Sequence, residues 1–200
     1  MACHFEALRS AAMVEDQPRY NICPTQDVAV VLNTGAQREI VPMRWGFIPF
    51  WAKRLNDGPL LFNARSETLA EKSAFREAAR QRRCLIPASG FFEWHGKGVE
   101  RQAYCVAPSS GSLVAFAGVW SCWQGPEGPV DSVAIVTIGA NASLYASHPR
   151  MPLVIAPDGF GLWLGEQGHG AARLMRPVPG TTLTARRVGP AVNSNKADGP

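Results

Sequence analysis

The chain has 200 residues, of which 46% are hydrophobic and 18% are charged, a composition typical of a soluble globular protein and unlike that of a disordered chain. Lysine and arginine number 20 against 16 acidic residues, and the formal net charge of +4 permits a polyanionic partner without requiring one. The length predicts a single domain over residues 1–200, and no apolar run reaches the roughly 18 residues that a membrane span needs.

Short segments rich in β-branched and aromatic residues, separated by turn residues, dominate the chain and predict strands. In chain order these segments are 27–32, 39–45, 102–107, 113–120, 132–138, 152–155 and 182–188. Asn-Thr-Gly at 33–35 is typical of a hairpin between the first two strands, and short helices are expected over 158–165 and 170–175. The expected fold is therefore α+β and β-rich, a curved, barrel-like antiparallel sheet with a few short helices.

The longest helical pattern covers residues 66–83. It would place Lys72, Arg76, Arg80 and Arg83 on one face, because they stand at i, i+4, i+8 and i+11. Such a face is either ordinary solvated surface or a ridge that contacts phosphates. In the second interpretation Arg76 and Arg80 are candidate DNA-binding residues.

The segment 44–52 is unusually aromatic, and Trp51 follows Pro49 and stands beside Lys53 and Arg54. Aromatic rings interleaved with cations suit single-stranded nucleic acid, since bases stack on the rings while phosphates meet the cations. The alternative is that these rings belong to the hydrophobic core.

The segment 62–68 lies at a predicted junction between a strand and a helix, and it contains Asn63 and Arg65. An amide and a guanidinium beside a helix N-terminus are well suited to hold an anion. The alternative is a turn that satisfies its own polar groups.

Two further residues are candidates for proton transfer. Glu93 is flanked by three aromatic residues in the segment 91–94, and partial desolvation there would raise its pKa towards that of a general acid or base at neutral pH. In a simple alternating strand the same carboxylate would instead face water. His148, just before an apolar strand, is a natural proton shuttle near neutral pH, although a lone histidine is more often structural.

The cysteine count is odd and the spacings are wide, with no C-x-x-C pair, so neither a zinc ribbon nor a disulfide framework is expected. The five residues are Cys3, Cys23, Cys84, Cys105 and Cys122. The four histidines lack ligand spacing as well, and we expect neither a metal nor another cofactor. No signal-peptide pattern is present at the N-terminus, which predicts a cytoplasmic protein with reduced thiols.

Five ordered motifs resemble those of the SRAP family, a name that stands for SOS response-associated peptidase. They are RYN-x-x-PT, WG-x-x-P-x-W, NAR-x-E-T, C-x-x-P-x-x-G-F-F-E-W and H-x-R-M-P. The resemblance runs from about residue 19 to the AVNSNK segment near the C-terminus. It implies the SRAP fold, a positively charged groove for single-stranded DNA, and covalent capture of abasic sites by a DNA-damage-response enzyme that binds the nucleoid.

The resemblance also implies roles for particular residues. Asn63 would hold the N-terminal residue and the sugar, Glu93 would shuttle protons during Schiff-base formation, and His148 would assist sugar ring opening. Arg65 and Arg150 would hold the phosphates that flank the lesion. Trp51 would abut DNA near a strand junction, and Asn21 of the RYN motif is assigned to DNA binding.

The departure from the family lies at the N-terminus. Family members begin Met-Cys-Gly-Arg-Phe or a near variant, and their cysteine amine and thiol close a thiazolidine on the sugar aldehyde. This chain begins Met-Ala-Cys-His-Phe. When Phe5 is aligned, Ala2 takes the nucleophile position, whereas aligning the cysteines puts the catalytic candidate Cys3 one residue late.

Three interpretations of this departure stay open. The chain forms a Schiff base through Ala2 or a hemithioacetal through Cys3; or the true N-terminus differs, for example after peptidase-like removal of a short leader that exposes Cys3; or the protein is a DNA-binding module that forms no cross-link. A monomer is the default expectation.

Overall fold

The computed structural model of the protein describes residues 1–12, 18–55, 57–96, 98–141 and 149–199. Five of its strands close into a barrel, in which β2 joins β3 on one side and β5 on the other, and β5, β8 and β9 follow by antiparallel pairing. Parallel pairing between β3 and β9 closes the ring. The strands are β2 (Asp27–Asn33), β3 (Arg38–Trp45), β5 (Arg83–Ala88), β8 (Val114–Gly125) and β9 (Gly128–Gly139).

Four short strands extend the barrel sheet, and three further strands form a second sheet. β1 (Ala7–Arg9) and β4 (Asn63–Arg65) run parallel to β3 and β9 respectively, while β10 (Arg150–Pro152) and β11 (Val154–Ile155) pair antiparallel with β9 and β8. The second sheet has the order β12–β7–β6. Its strands are β6 (Phe91–His95), β7 (Gln102–Pro108) and β12 (Leu183–Arg187).

Helices are short in the part of the chain that the structure describes. They are α1 (Ala2–Phe5), α2 (Arg76–Gln81) and α3 (Phe160–Leu164), with 3₁₀ turns at Ser66–Thr68, Gly98–Glu100, Pro157–Gly159, Ala171–Leu174 and Pro190–Asn193. α3 covers one end of β5, where the fully buried Trp163 donates its indole N–H to the Cys84 carbonyl at 2.8 Å. None of these helices is long and apolar enough to cross a membrane.

Aliphatic side chains from the predicted strands form the hydrophobic core on both faces of the barrel sheet. Val30, Val31, Leu85, Val119 and Val133 are all fully buried. Burying such side chains contributes about 1.5–3 kcal/mol each, which explains why the β-branched segments pair in this arrangement. The β-rich α+β class and six of the seven predicted strand segments are confirmed. The seventh, 152–155, is divided between β10 and β11, which pair with different strands.

The helix predicted over residues 66–83 is wrong in extent. The chain forms a 3₁₀ turn and then further turns, which bring the ring of Phe75 into the core, 5.1 Å from that of Phe47, and α2 begins only after Phe75. Arg83 starts β5 and donates to the carbonyls of Ala79 and Trp163. A continuous cationic face from residue 72 to residue 83 therefore does not form, because packing of Phe75 outweighs the local helical pattern.

Candidate functional site

A groove of about 1630 Å³ runs between the barrel and the second sheet. Small-molecule pockets usually enclose about 300–1,000 Å³, so this groove suits a longer ligand. Barrel strands supply one side through residues such as Trp45 and Thr137, β6 supplies the other through residues 91–94, and the segment 190–195 completes the rim.

The N-terminal segment is anchored so that its first residue reaches the groove. Phe5 is fully buried and stacks on Phe160 of α3, with ring centroids 5.1 Å apart and planes 15° apart. Met1 lines the groove, whereas Ala2 packs against the core. Cys3 is exposed and lies outside the described lining of the groove. The buried ring of Phe5 therefore favours the alignment on that residue.

A salt bridge next to the Phe5 carbonyl also holds the N-terminal segment in place. Arg38, at the start of β3, donates through Nε and Nη2 to the two carboxylate oxygens of Glu166, both at 2.8 Å. Its Nη1 donates to the Phe5 carbonyl at 3.1 Å. The guanidinium holds the pKa of Glu166 below its usual range through this hydrogen-bonded pairing. The pair fixes α1 against the barrel.

Asn63 and Arg65 stand on β4 at the groove, and both are exposed. β4 is short, but its parallel pairing with β9 and the hydrogen bond from Trp45 Nε1 to the Phe62 carbonyl, at 2.9 Å, fix its position. Alternation along the strand buries Ala64 and turns its two polar neighbours to the open side. An amide and a guanidinium are thus presented side by side.

Glu93, on β6, lines the same groove. The residue is half-buried, and its Oε1 accepts a hydrogen bond from the Trp94 backbone N–H at 3.2 Å. The segment 91–95 is a strand, as the alternative interpretation predicted, but the Glu93 carboxylate lines the groove. His148 falls outside the described residues.

Arg150, at the start of β10, also lines the groove, and it forms a bidentate pair with Glu67 at 3.1 and 2.9 Å. It donates as well to the Thr137 carbonyl at 2.7 Å. The hydrogen-bonded guanidinium holds the pKa of Glu67 below its usual range. Sequence reasoning missed Glu67, although it stands in the same NARSET segment as Asn63.

The lining of the groove is cationic and aromatic. Its described charged residues are Arg19, Arg65, Arg101 and Arg150 against Asp27 and Glu93. The Arg101 guanidinium lies 5.0 Å from the Trp94 ring centroid. The described aromatic residues of the lining are Tyr20, Trp45, Phe62, Phe91, Phe92, Trp94 and Phe116. Guanidinium groups among aromatic rings form a surface on which bases stack while phosphates are neutralised.

Asn21 lines the groove, but other predicted DNA contacts lie elsewhere. Trp51 is 56% exposed, and Arg76 and Arg80 are exposed on α2; all three are outside the described lining. Cys23 lines the groove although nothing in the sequence singled it out. No group of three potential metal ligands occurs among the described residues.

The fold and the groove define a class of protein: a small β-barrel with an attached sheet and an arginine-rich, aromatic cleft that its own N-terminus enters. Residues 1–195 match the family model described as SOS response associated peptidase (SRAP). The chain belongs to the SRAP family, which confirms the resemblance that the motifs indicated.

Known relatives span most of the chain. It is 34% identical over 191 residues to the abasic site processing protein YoqW of Bacillus subtilis (strain 168), covering 93% of this chain and 85% of that protein. It is 30% identical to the abasic site processing protein HMCES of Rattus norvegicus, covering 92% of this chain and 64% of that one. A crystal structure of a protein from Bordetella bronchiseptica superposes with a TM-score of 0.81 at 26% identity, covering 94% of each chain.

Proposed function

We propose that this protein binds single-stranded DNA in the groove and reacts there with abasic sites, forming a covalent link through its N-terminal residue. The observation that carries the proposal is the convergence of Met1, Asn63, Glu93 and Arg65 on one arginine-rich, aromatic groove. Relatives named as abasic site processing proteins support it. Its place is the DNA damage response.

The chemistry starts from the open-chain sugar of an abasic site, which carries an aldehyde. An N-terminal amine adds to the aldehyde carbon to give a carbinolamine, and loss of water gives an imine. The departing hydroxyl needs a proton, and Glu93 is the candidate donor because its carboxyl lines the groove. His148 is the second candidate for proton transfer, and it assists sugar ring opening.

Asn63 and Arg65 orient the substrate in this proposal. The Asn63 amide holds the N-terminal residue and the sugar, and the Arg65 guanidinium pairs with a flanking phosphate. Contacts of this kind carry affinity without reading base identity, which suits a protein directed at a lesion. Arg150 takes part as well, with its guanidinium already held by Glu67 and Thr137.

The burial of Phe5 and the exposure of Cys3 favour Ala2 as the residue that supplies the amine after Met1 is removed. An alanine amine forms an imine but has no thiol with which to close a thiazolidine. The link would then be reducible and reversible. A mature N-terminus at Cys3 would instead provide amine and thiol together and restore the thiazolidine.

The test is incubation with a single-stranded oligonucleotide that carries one abasic site, followed by denaturing electrophoresis with and without borohydride. An adduct that requires reductant supports an imine through Ala2, and an adduct that survives without reductant supports a thiazolidine. Absence of an adduct in both lanes contradicts the covalent function. Undamaged oligonucleotide is the control.

Intact-mass measurement of the mature protein identifies the nucleophile directly. A chain that starts at Ala2 predicts that Cys3→Ser leaves the reducible adduct unchanged. A chain that starts at Cys3, as autoprocessing would produce, predicts loss of the stable adduct in the same variant.

The exposed position of Cys3 also favours a second candidate function, a non-covalent DNA-binding module. This function predicts salt-sensitive binding to single-stranded DNA that does not change when Cys3, Glu93 or His148 is replaced by alanine. Fluorescence anisotropy at several salt concentrations, run beside the cross-linking assay, separates the two functions.

A further inference from the structure

The C-terminal tail, residues 189–199, is tied along the rim of the groove. The preceding strand ends at Arg187, and the Val188 N–H donates to the Ala103 carbonyl at 3.0 Å, which directs the chain back over the second sheet. Val192, Asn193 and Asn195 then line the groove. A tail that is polar in sequence thus occupies a defined place at the candidate site.

One tie is made by Asp198. Its Oδ1 accepts hydrogen bonds from the backbone N–H groups of Tyr20 and Asn21, at 2.6 and 3.1 Å. These hydrogen bonds hold the pKa of Asp198 below its usual range, so the carboxylate is charged at neutral pH. Residues 18–26, which lead into the barrel strand β2, are thereby joined to the far end of the tail.

The second tie is made by the Asn21 side chain. Its amide Nδ2 donates to the carbonyl of Ser194 at 2.9 Å and to that of Val192 at 3.4 Å. Trp94, on β6, donates its indole N–H to Asn193 Oδ1 at 2.7 Å. The tail therefore connects the barrel side of the groove to the second sheet, and Asn21, which itself lines the groove, also positions the tail.

Polar contacts, rather than packing, hold the tail. No residue of its 3₁₀ turn Pro190–Asn193 is buried, and Asp198 is exposed. Removal of one polar partner is therefore expected to release the tail without disturbing the hydrophobic core.

We propose that this tail is a wall of the DNA groove, which contacts the sugar-phosphate backbone of a bound single strand and is held in place by Asp198 and Asn21. The inference rests on the proposed function. The tail offers hydrogen-bond donors at the groove. Asn193 and Asn195 line it with side-chain amides, and only the Oδ1 atom of Asn193 is engaged by Trp94. The exposed Lys196 follows directly, just outside the described lining. Such donors suit phosphate oxygens and do not read bases.

The experiment uses the full chain and a single-stranded oligonucleotide with a tetrahydrofuran residue, a stable abasic analogue that has no aldehyde. Stopped-flow fluorescence gives its association and dissociation rate constants for the wild type, Asp198→Ala and Asn21→Ala. We expect dissociation to accelerate about fivefold or more in both variants, with association changed less than about twofold. The double variant is expected to match the more damaging single variant, since both substitutions release the same segment.

Asp158→Ala is the matched control, because Asp158 is an exposed carboxylate outside the described lining of the groove. It is expected to leave both rate constants unchanged. Lys196→Gln is expected to make the slope of log K against log salt less negative by about 0.7, the value for one phosphate contact on a single strand.

Hydrogen exchange over residues 189–199 reports the tail independently of DNA. Unchanged protection in both Asp198→Ala and Asn21→Ala would show that these residues do not hold the tail in place. Faster exchange with unchanged dissociation would show that the tail does not contact DNA. Wild-type protein that does not bind the oligonucleotide at all would contradict the proposed function itself, whereas wild-type binding with unaffected variants would contradict only the tail's role.

Discussion

At the scale of single residues, two glutamates with the same side-chain chemistry have different surroundings. Glu93 is half-buried on β6 and lines the groove, while Glu127 is exposed at the turn between β8 and β9, outside the described lining. Under the proposed function, only the first carboxylate is placed to exchange a proton with a sugar bound in the groove. The pair therefore tests whether position, rather than charge alone, matters for the reaction.

We expect Glu93→Gln to slow adduct formation by about 10²–10⁴-fold, the usual contribution of a positioned general acid or base. Affinity for the tetrahydrofuran oligonucleotide should change little, because the substitution keeps the size of the side chain. Quenched-flow time courses with an abasic oligonucleotide measure the rate. Glu127→Gln is the control, and an unchanged rate in Glu93→Gln would exclude the proton-transfer role.

A second residue-scale feature is the close packing at Gly118 in β8, directly opposite Cys84 of β5. A Cβ at this position would lie 2.7 Å from Cys84 Sγ and 3.0 Å from Ile86 Cδ1. The Cys84 thiol is fully buried, and burial raises its pKa well above the usual range. This cysteine therefore acts as a small core residue.

We expect Gly118→Ala to lower the free energy of unfolding by about 1–3 kcal/mol, the usual cost of overpacking a core. Cys84→Ala combined with Gly118→Ala should recover part of that loss, since the smaller side chain makes room for the new methyl group. Urea denaturation of the three variants measures both effects. Additive losses in the double variant would contradict direct contact.

At the scale of elements, α1 is positioned by contacts distant in sequence. With only four residues, α1 is too short to be stable as an isolated helix. Its position depends on the burial of Phe5 against α3 and on the Arg38–Glu166 pair. The same dependence explains the wrong prediction over 66–83, where local spacing favoured one helix and packing of Phe75 produced turns followed by α2.

We expect Glu166→Gln to destabilise the protein by about 1 kcal/mol at pH 7, the upper range for a partly exposed ion pair. The folded-state pKa of Glu166 is lowered, so its contribution is present above the unfolded pKa of about 4.3 and is lost as pH falls through the lower folded value. The difference from wild type should therefore shrink in acid. Urea midpoints at pH 7 and at about pH 3.5 check this, with the exposed Glu71→Gln as control.

At the scale of the whole molecule, the groove exists because two sheets and the two chain ends meet. β4 and β10 on the barrel sheet supply Asn63, Arg65 and Arg150, and β6 on the second sheet supplies Glu93. The arginines of the groove lining outnumber its carboxylates, so part of the positive net charge lies in the groove. A polyanion should therefore bind at the groove.

We expect Arg65→Gln to weaken binding of single-stranded DNA regardless of base sequence and to make the slope of log K against log salt less negative by about 0.7. Arg173→Gln, which removes an exposed arginine outside the described lining, should change neither quantity. Anisotropy titrations over a range of salt concentrations measure both. Equal effects of the two substitutions would indicate that overall charge, not the groove, binds DNA.

Local pattern was sufficient for the strands that carry the barrel. Segments such as 27–32 and 132–138 are rich in β-branched residues. Burial of those residues favours a strand whichever neighbouring strand the segment pairs with. The five ordered motifs likewise identified the family, because each keeps its residue types at short, fixed spacing.

Pairing between distant segments governed the rest. β4 has only three residues and no apolar alternation, so its strand conformation, and with it the presentation of Asn63 and Arg65, comes from parallel pairing with β9. The partnership of Arg150 with Glu67 and that of the tail with Asn21 join residues 83 and 173 positions apart. Such contacts leave no local periodicity in a sequence, because the two partners are far apart along the chain and come together only in the folded structure.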